Sequence, residues 1–196
     1  MLAPALAAWS GSIAGMGEQK NNMLTGELYW YDDPELVVER ARCAELIDRY
    51  NAAPTTEHPA LLRELFGHVG EGAVINAPLR CDYGYRISIG ARSFINYDAI
   101  LLDSGGITIG DDVQIGPRVQ LLTPLHPLDP DARRKPVESG HPIVIGDGVW
   151  LAGGVIVCPG VTIGANTTVG AGSVVTRDLP ERVLAVGNPC RVVRPL

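Results

Sequence analysis

A rhythm of six residues dominates the C-terminal part of the chain. Between positions 145 and 175 an aliphatic residue returns at every sixth position without a slip. The members of this series are Ile145, Leu151, Val157, Ile163, Val169 and Val175. An α-helix places residues on one face every 3.6 residues and a strand every two, so neither produces a period of six. The rhythm therefore requires a fold built from short, repeated steps.

The residues between the aliphatic positions indicate what each step contains. The residue that follows is mostly small, as at Gly146 and Ala152, and the residue four positions on is small or β-branched, as at Val149. A short strand and a tight corner fit this pattern, because Gly and Asn tolerate the positive φ of such corners. Three sides close a triangular coil of about 18 residues, and stacked coils form a parallel β-helix. Each aliphatic side chain then points into the prism, where its burial contributes roughly 1.5–3 kcal/mol.

Two earlier series extend the same rhythm towards the N-terminus. They are Ile89, Ile95 and Leu101 and, after two extra residues in SGGITIG, Ile109, Ile115 and Leu121. The rhythm then stops in LTPLHPLDPDARRKPVESGHPIV and resumes at Ile145. The repeats therefore predict a β-helix over residues 71–180 with an inserted loop at 122–144.

The segment before the repeats has helical character instead. Residues 33–50 predict a helix, with Asp33 as its N-cap and Pro34 at its first position. A second helix is predicted over about residues 60–66, with Gly67 as its stop. Because a solenoid exposes its ends, these helices are expected to cover one of them.

Both ends of the chain lie outside the rhythm. Residues 1–15 are apolar but lack a positively charged start and are broken by Pro4 and Gly11, so we expect a flexible extension rather than a signal peptide or a membrane span. The helical N-terminal segment covers residues 16–70. The C-terminal tail at 181–196 is expected to fold over the other end of the β-helix or along one side.

Composition excludes several classes of function. A net charge of −6 over 196 residues argues against a protein that binds nucleic acid through a general basic field. The glycines keep the period of six and form neither GxGxxG nor GxxxxGK[ST], which excludes the common nucleotide loops. None of the four cysteines sits in a CxxC pair, which favours reduced thiols in a cytoplasmic protein.

Seven separate segments resemble the hexapeptide-repeat acyltransferases, and among them the maltose and galactoside O-acetyltransferases with their nodulation-protein relatives. The segments are GELYWYDD, RCDYGYRISIG, INYDAILLD, LHPLDP, GDGVWLAGGVIVCPGVTIG, GAGSVVTRDLP and VGNPCRVVR. The resemblance covers about residues 16–196. It implies a left-handed β-helix, a homotrimer with active sites between subunits, and acetyl transfer from acetyl-CoA to a sugar hydroxyl. Acetyl-CoA is then a co-substrate, and neither a metal nor a permanently bound cofactor is expected.

The resemblance assigns the general base to His126 in TPLHPLDP. A single histidine in a loop is more often a surface residue, but the match to the family's HP at this point makes His126 the candidate base. Histidine titrates near neutral pH, as this role requires. His141 has no counterpart and is expected to be structural or exposed, and Glu138 is a weaker candidate for orienting His126.

The resemblance also places the acceptor sugar. Carboxylates and amides suit this task because they hydrogen-bond neighbouring hydroxyls. The implied acceptor-binding residues are Asn96, Asp82, Asp103 and Asp33. Ser104 remains an alternative to Asp103, and Asp32 an alternative to Asp33, because Tyr31 occupies the matching position of the galactoside type. Asp82 favours the maltose-like branch, since the galactoside type has Ser there.

The resemblance places acetyl-CoA along the repeats and the tail. Trp150 is expected at an exposed corner, where it contacts either the pantetheine arm or a neighbouring subunit. The backbone N–H of Gly153 is the candidate donor to the acetyl carbonyl. The remaining candidates for acetyl-CoA binding are Ala171, Thr176, Arg177, Arg191 and Arg194. The guanidinium groups of the last two are expected to bind phosphate, for which their planar fork is suited.

Other functions on this fold stay open at this point. The same β-helix could acetylate an antibiotic or serine, although the long helical N-terminus of the serine enzymes is absent. A metal hydrolase like the γ-carbonic anhydrases needs three histidine ligands, and the repeat region has only His126 and His141. A non-catalytic assembly module would not bind CoA at all.

Overall fold

A computed structural model describes residues 17–196, and the predicted extension at 1–15 lies outside the described residues. The helices are α1 (Glu18–Thr25), α2 (Pro34–Ala52), α3 (His58–Leu65) and α4 (Pro130–Arg133). The strands are β1 (Tyr29–Trp30), β2 (His68–Val69), β3 (Val74–Ile75), β4 (Leu79–Cys81), β5 (Ile87–Ile89), β6 (Phe94–Ile95), β7 (Ala99–Leu102), β8 (Ile107–Ile109), β9 (Gln114–Ile115), β10 (Gln120–Leu122), β11 (Pro124–Leu125), β12 (Val137–Gly140), β13 (Ile143–Ile145), β14 (Trp150–Leu151), β15 (Ile156–Val157), β16 (Thr162–Ile163), β17 (Thr168–Val169), β18 (Val174–Val175), β19 (Val183–Val186) and β20 (Arg191–Pro195).

Three parallel sheets form the walls of the prism. The first wall has the order β4-β7-β10-β15-β18, the second β2-β5-β8-β13-β16, and the third β3-β6-β9-β14-β17, extended by β19 and β20. Successive coils stack in register, with Ile89 beside Ile109 and Ile145 beside Ile163. The chain folds as the predicted left-handed parallel β-helix.

The core lies inside the prism, where the rhythm places it. All the aliphatic residues of the three series are buried, together with Val149, Val155 and Val161 between them. Corners of the later coils have positive φ, for example Gly154 at 71° and Asn166 at 58°. The positive φ thus falls here at the third residue after the aliphatic, as in Gly154 after Leu151, and not at the small residue that directly follows it, such as Ala152.

The helical segment confirms the sequence prediction with small shifts at its ends. Helix α2 begins at Pro34, and the side chain of Asp33 caps it by accepting from the N–H of Glu35 at 3.0 Å. Helix α3 starts two residues before the predicted position, with Pro59 in its first turn. It ends before Phe66, which is extended, so Gly67 is not the residue that stops it.

Side chains of α2 complete the open edge of the first coil. The amide of Asn51 donates to the carbonyl of Leu79 at 3.0 Å and accepts from the N–H of Leu79 at 2.9 Å. The hydroxyl of Tyr50 donates to the carbonyl of Ile75 at 2.5 Å. Since β3 and β4 are the terminal strands of their sheets, these bonds replace those that a further coil would make.

The inserted loop leaves the prism between β10 and β13. It contains β11, α4 and β12, and β12 lies between β11 and β1 in a small antiparallel sheet. The loop is thereby fixed to the N-terminal segment. At the other end of the chain β20 folds back antiparallel on β19. Among the helices of residues 17–196, none is long and apolar enough to cross a membrane.

Candidate active site

His126 lies directly after β11 with its side chain about half exposed. Its Nδ1 is 3.4 Å from the carbonyl oxygen of Val137, and its Nε2 is 3.9 Å from Oε2 of Glu138. The ring of Tyr31 meets the imidazole edge-on, with 6.2 Å between the ring centres. A carbonyl oxygen can only accept, so the arrangement favours a proton on Nδ1 and a free lone pair on Nε2.

A tyrosine of the N-terminal segment, Tyr29, fixes the side chain of Glu138. Glu138 lies on β12 with its side chain largely buried, and its Oε1 accepts a hydrogen bond from the hydroxyl of Tyr29. Burial and the Glu138 carboxylate raise the pKa of Tyr29, so this phenol stays protonated and remains a donor. Glu138, which the sequence indicated only weakly, thus faces the imidazole with one oxygen and is anchored by the other.

Asp82 and Asp103 lie at the corner of the prism from which the inserted loop leaves, because both follow first-wall strands, as the loop does. Oδ1 of Asp103 accepts from the backbone N–H groups of Asp82 at 3.0 Å and of Tyr83 at 2.8 Å. Within residues 17–196, Oδ2 of Asp103 is buried and has no hydrogen-bond partner. Burial raises the pKa of Asp103 to about 6. The next residue, Ser104, is buried as well.

The carboxyl of Asp82 is affected by its acidic neighbours. Burial, followed by the negative charges of Asp103 and Glu138, raises its pKa to about 7, and the guanidinium of Arg40 offsets part of this shift. Three acidic side chains therefore share one small region, and a ligand with several hydroxyl groups could satisfy them. We call this region the acid corner: Asp82, Asp103, Glu138 and His126.

Polar side chains of α2 support the acid corner. Arg40 donates to the hydroxyl of Tyr83 at 2.7 Å and to the carbonyl of Tyr31 at 2.6 Å. Arg86 lies directly before β5, and burial lowers its pKa. Within the described residues its Nε has no hydrogen-bond partner. Such a buried donor is suited to bind a water molecule or a polar ligand.

The two N-terminal acidic candidates lie directly before helix α2. Asp33 uses its carboxylate to cap α2, and Asp32 is exposed. Tyr31 is the residue of this segment that contacts His126. Tyr31, which occupies the matching position of the galactoside type, is therefore the residue that lies beside the candidate base His126.

Asn96, Gly153 and Ala171 share a second corner, which we call the glycine corner. Each follows a third-wall strand and precedes a first-wall strand, and the N–H of Gly172 donates to the carbonyl of Gly153 at 3.0 Å. Oδ1 of Asn96 accepts from the N–H of Tyr97 at 2.8 Å. Within residues 17–196 the N–H of Gly153 has no hydrogen-bond partner. This N–H is thus available to a ligand.

The other acetyl-CoA candidates lie along the C-terminal coils. Trp150 occupies strand β14 rather than the predicted corner, and its side chain is 53% exposed. Thr176 and Arg177 are exposed just after β18, and Arg191 and Arg194 are exposed on β20. The guanidinium groups of Arg191 and Arg194 donate to nearby backbone carbonyls, those of Cys190 and Pro195 respectively. They can therefore turn towards an anionic ligand at little cost.

One chain does not bring the two corners together. The acid corner follows the first-wall strands, whereas the glycine corner precedes them. A wall of extended residues separates the corners by roughly 15 Å. The two corners therefore lie at different edges of the first wall.

Comparison with known proteins identifies the fold and its chemistry. A model of the maltose acetyltransferase hexapeptide capping motif matches residues 22–70, and a model of the bacterial transferase hexapeptide with six repeats matches residues 142–177. Nodulation protein L of Rhizobium meliloti (strain 1021) is 46% identical over 89% of this chain and 97% of its own. The chain belongs to the hexapeptide-repeat acyltransferases.

Further relatives narrow the place of the chain within this family. The galactoside O-acetyltransferase of Lactococcus lactis is 35% identical over 91% of this chain and 88% of its own. A maltose O-acetyltransferase from Clostridium difficile 630 superposes with a TM-score of 0.89 at 46% identity, covering 91% of this chain and 97% of that one. A hexapeptide-repeat acetyltransferase of Vibrio cholerae, solved with acetyl-CoA, gives a TM-score of 0.86 at 39% identity, covering 92% and 99%.

These findings establish the coarse activity. The protein is an acetyl-CoA-dependent O-acetyltransferase of the maltose and galactoside type, and acetyl-CoA is its co-substrate. Among residues 17–196, no group of three or more His, Cys, Asp or Glu side chains is placed to hold a metal ion. The residues that match the capping motif, 22–70, contain the end of α1 and all of α2 and α3.

Two residues of the site had no role in the sequence interpretation. Tyr29 lies in the GELYWYDD segment, yet no local signal shows that its hydroxyl reaches Glu138, which is 109 positions away. Arg40 lies within a helix that looks amphipathic, where a charged residue is normally solvated. Their contacts depend on how the capping helices dock, which no spacing in the chain reveals.

Proposed function

We propose that the enzyme transfers the acetyl group of acetyl-CoA to a hydroxyl of a sugar, with His126 as the general base. The observation that carries this proposal is the setting of the imidazole. Its Nδ1 lies 3.4 Å from the Val137 carbonyl oxygen, and its Nε2 lies 3.9 Å from Oε2 of Glu138. A base needs a free lone pair and a means to stabilise its protonated form, and this geometry provides both.

The reaction follows from this arrangement. Nε2 of His126 removes the proton as the sugar oxygen attacks the thioester carbonyl, and the carbonyl oxygen becomes an oxyanion that accepts from the N–H of Gly153. When the tetrahedral intermediate collapses, the carbon–sulfur bond breaks and the histidine returns its proton to the CoA sulfur. The negative charge of Glu138 stabilises the imidazolium between these two steps.

We further propose that the active form is a homotrimer with each site between two subunits. The acid corner and the glycine corner lie at different edges of one chain, so a neighbouring chain must supply one of them. Asn96 and Gly153 of one subunit would then face His126 of the next. The exposed indole of Trp150 lies on the wall that borders the glycine corner.

The two substrates occupy opposite sides of this junction in our proposal. Asp82 and Asp103, with Asn96 of the neighbouring chain, bind the acceptor hydroxyls, and Ser104 and Tyr31 complete the pocket. Ala171, Thr176 and Arg177 follow the pantetheine arm. Arg191 and Arg194 contact the CoA phosphates, and Asp33 acts as a helix cap at the rim. We expect the enzyme to work in the cytoplasm, where acetyl-CoA is available.

Replacement of His126 tests the mechanism. We expect His126→Ala to lower kcat by about 10²–10⁴-fold with maltose or another good acceptor, the usual loss on removal of a general base. Release of CoA thiol from acetyl-CoA gives the rate. The matched control is His141→Ala, which should retain activity. Turnover at the wild-type rate in His126→Ala would show that another group takes the proton.

A further inference from the structure

Two cysteines that are far apart in the sequence lie side by side in the fold. Cys43 is on α2 and Cys81 on β4, and their sulfur atoms are 3.6 Å apart although 38 positions separate them in the chain. The Cys43 sulfur also lies 3.9 Å from the carbonyl oxygen of Cys81. A disulfide bond is about 2.05 Å long, so the sulfurs need to approach by only about 1.5 Å.

A small cavity reaches this pair from one side. It has a volume of about 110 Å³ and is lined by Cys43, Glu39, Arg42, Tyr83 and Tyr85 among others. A single water molecule needs about 10–15 Å³ of such space, so the cavity admits a molecule the size of hydrogen peroxide. Cys81 does not line it, which leaves Cys43 as the sulfur that a small oxidant meets first.

We propose that Cys43 and Cys81 form an oxidisable pair that a peroxide converts into an intramolecular disulfide. The Cys43 sulfur attacks one peroxide oxygen, the O–O bond breaks, and a sulfenic acid and water are formed. The Cys81 sulfur then attacks the sulfenic sulfur, and the hydroxyl leaves as a second water with the proton of Cys81. Two thiols lose two electrons and two protons in total, and the peroxide is reduced to water.

The reduced pair is stable until an oxidant enters. The neighbouring Cys43 thiol and burial both raise the pKa of Cys81. Its protonated form therefore predominates, and this form is a poor nucleophile. The remaining cysteines, Cys158 and Cys190, are on other coils and both are free. The pairing of Cys43 with Cys81 is therefore set by the docking of α2 onto β4 rather than by any motif.

The disulfide would tie the capping helix to the first coil. It closes a loop of the intervening residues and thereby restricts the unfolded chain. We expect the oxidised protein to unfold about 5 °C or more above the reduced one. Dithiothreitol should reverse this shift.

Peptide mapping of the full-length protein tests the proposal. Wild-type protein is treated with a small excess of hydrogen peroxide, its free thiols are alkylated, and it is digested without reductant. We expect a Cys43–Cys81 cross-linked peptide, an intact mass about 2 Da lower before alkylation, and a fall from four free thiols to two. Cys158→Ser is the matched control and should still form the cross-link, whereas Cys43→Ser should not.

Three results would overturn the proposal. They are oxidation of Cys158 or Cys190 before the pair, conversion of Cys43 to a sulfinic acid while Cys81 remains alkylated as a free thiol, and a cross-link between different chains. Mapping of the wild-type protein distinguishes all of these without a variant, so the proposal stays testable even if Cys43→Ser does not fold.

Discussion

The substitution Glu138→Gln isolates the charge that faces the candidate base. Glutamine keeps the size of the side chain and an oxygen that can accept from the hydroxyl of Tyr29, but it removes the negative charge 3.9 Å from Nε2 of His126. That charge has little effect while the imidazole is neutral. It stabilises the imidazolium that forms as the proton leaves the acceptor, so its loss should raise the barrier of the chemical step.

The distance sets the size of the effect. Two unit charges at this separation attract by about 1 kcal/mol in bulk water and about 4 kcal/mol at the effective dielectric constant near a protein surface. Each 1.36 kcal/mol changes the rate tenfold, so kcat should fall by between about 5-fold and about 10³-fold. The imidazole is 52% exposed, and we therefore expect the lower half of this range, about 10–50-fold.

A double-mutant cycle with His126→Ala provides the decisive measurement. Steady-state release of CoA thiol gives kcat and both KM values for the wild type, the two single variants and the double variant. If Glu138 acts through the imidazolium, Glu138→Gln should cause no further loss in the His126→Ala background, and KM for acetyl-CoA should stay unchanged. An equal loss of kcat in both backgrounds would refute the reasoning, as would a single variant with wild-type kcat.

Three further predictions concern stability, each measured by unfolding at one protein concentration. Asn51→Ala removes two hydrogen bonds to the backbone of Leu79 and should lower the free energy of unfolding by about 1–3 kcal/mol; an unchanged melting temperature would contradict the proposed edge cap. Leu101→Ala empties a fully buried core position and should cost about 2–5 kcal/mol, or roughly 5–15 °C, and a loss below 2 °C would disprove its place in the core. The pKa of Asp103 is raised from 3.8 to about 6 by burial, so its contribution to stability falls as pH rises from about 4 to 6. Asp103→Asn should therefore become more stable relative to the wild type between pH 4.5 and 7.5 in urea titrations, and the opposite trend would show that the carboxylate is stabilised in the fold.

The repeat was predictable because each step of it is local. An aliphatic residue, a small residue and a corner recur within six positions, so Ile145 and Val175 are both buried in the core although they lie on different walls of the prism. The repeat pattern predicts Trp150 at an exposed corner; the exposure is correct, but the backbone there is a strand with the side chain outward.

The contacts of the candidate base were only partly predictable. A loop that breaks a regular repeat attracts attention to His126, but its partners come from elsewhere. Glu138 reaches it across an antiparallel pair, Tyr31 reaches it from the capping segment, and Tyr29 of the same segment holds Glu138. The position of Cys43 beside Cys81 has the same origin, since it depends on the docking of a helix onto a strand. Such contacts are set by tertiary packing, which leaves no period in the sequence.

The bonds that Tyr50 and Asn51 make to the first coil also bear on how this molecule behaves at high concentration. A parallel sheet whose last strand has free carbonyl and N–H groups is a template onto which another chain can add, and a solenoid repeats that template at every coil. Two side chains from one helix occupy these groups with bonds of 2.5 to 3.0 Å. They thereby give the stack a defined first layer, because these backbone groups are no longer open to a strand of another chain.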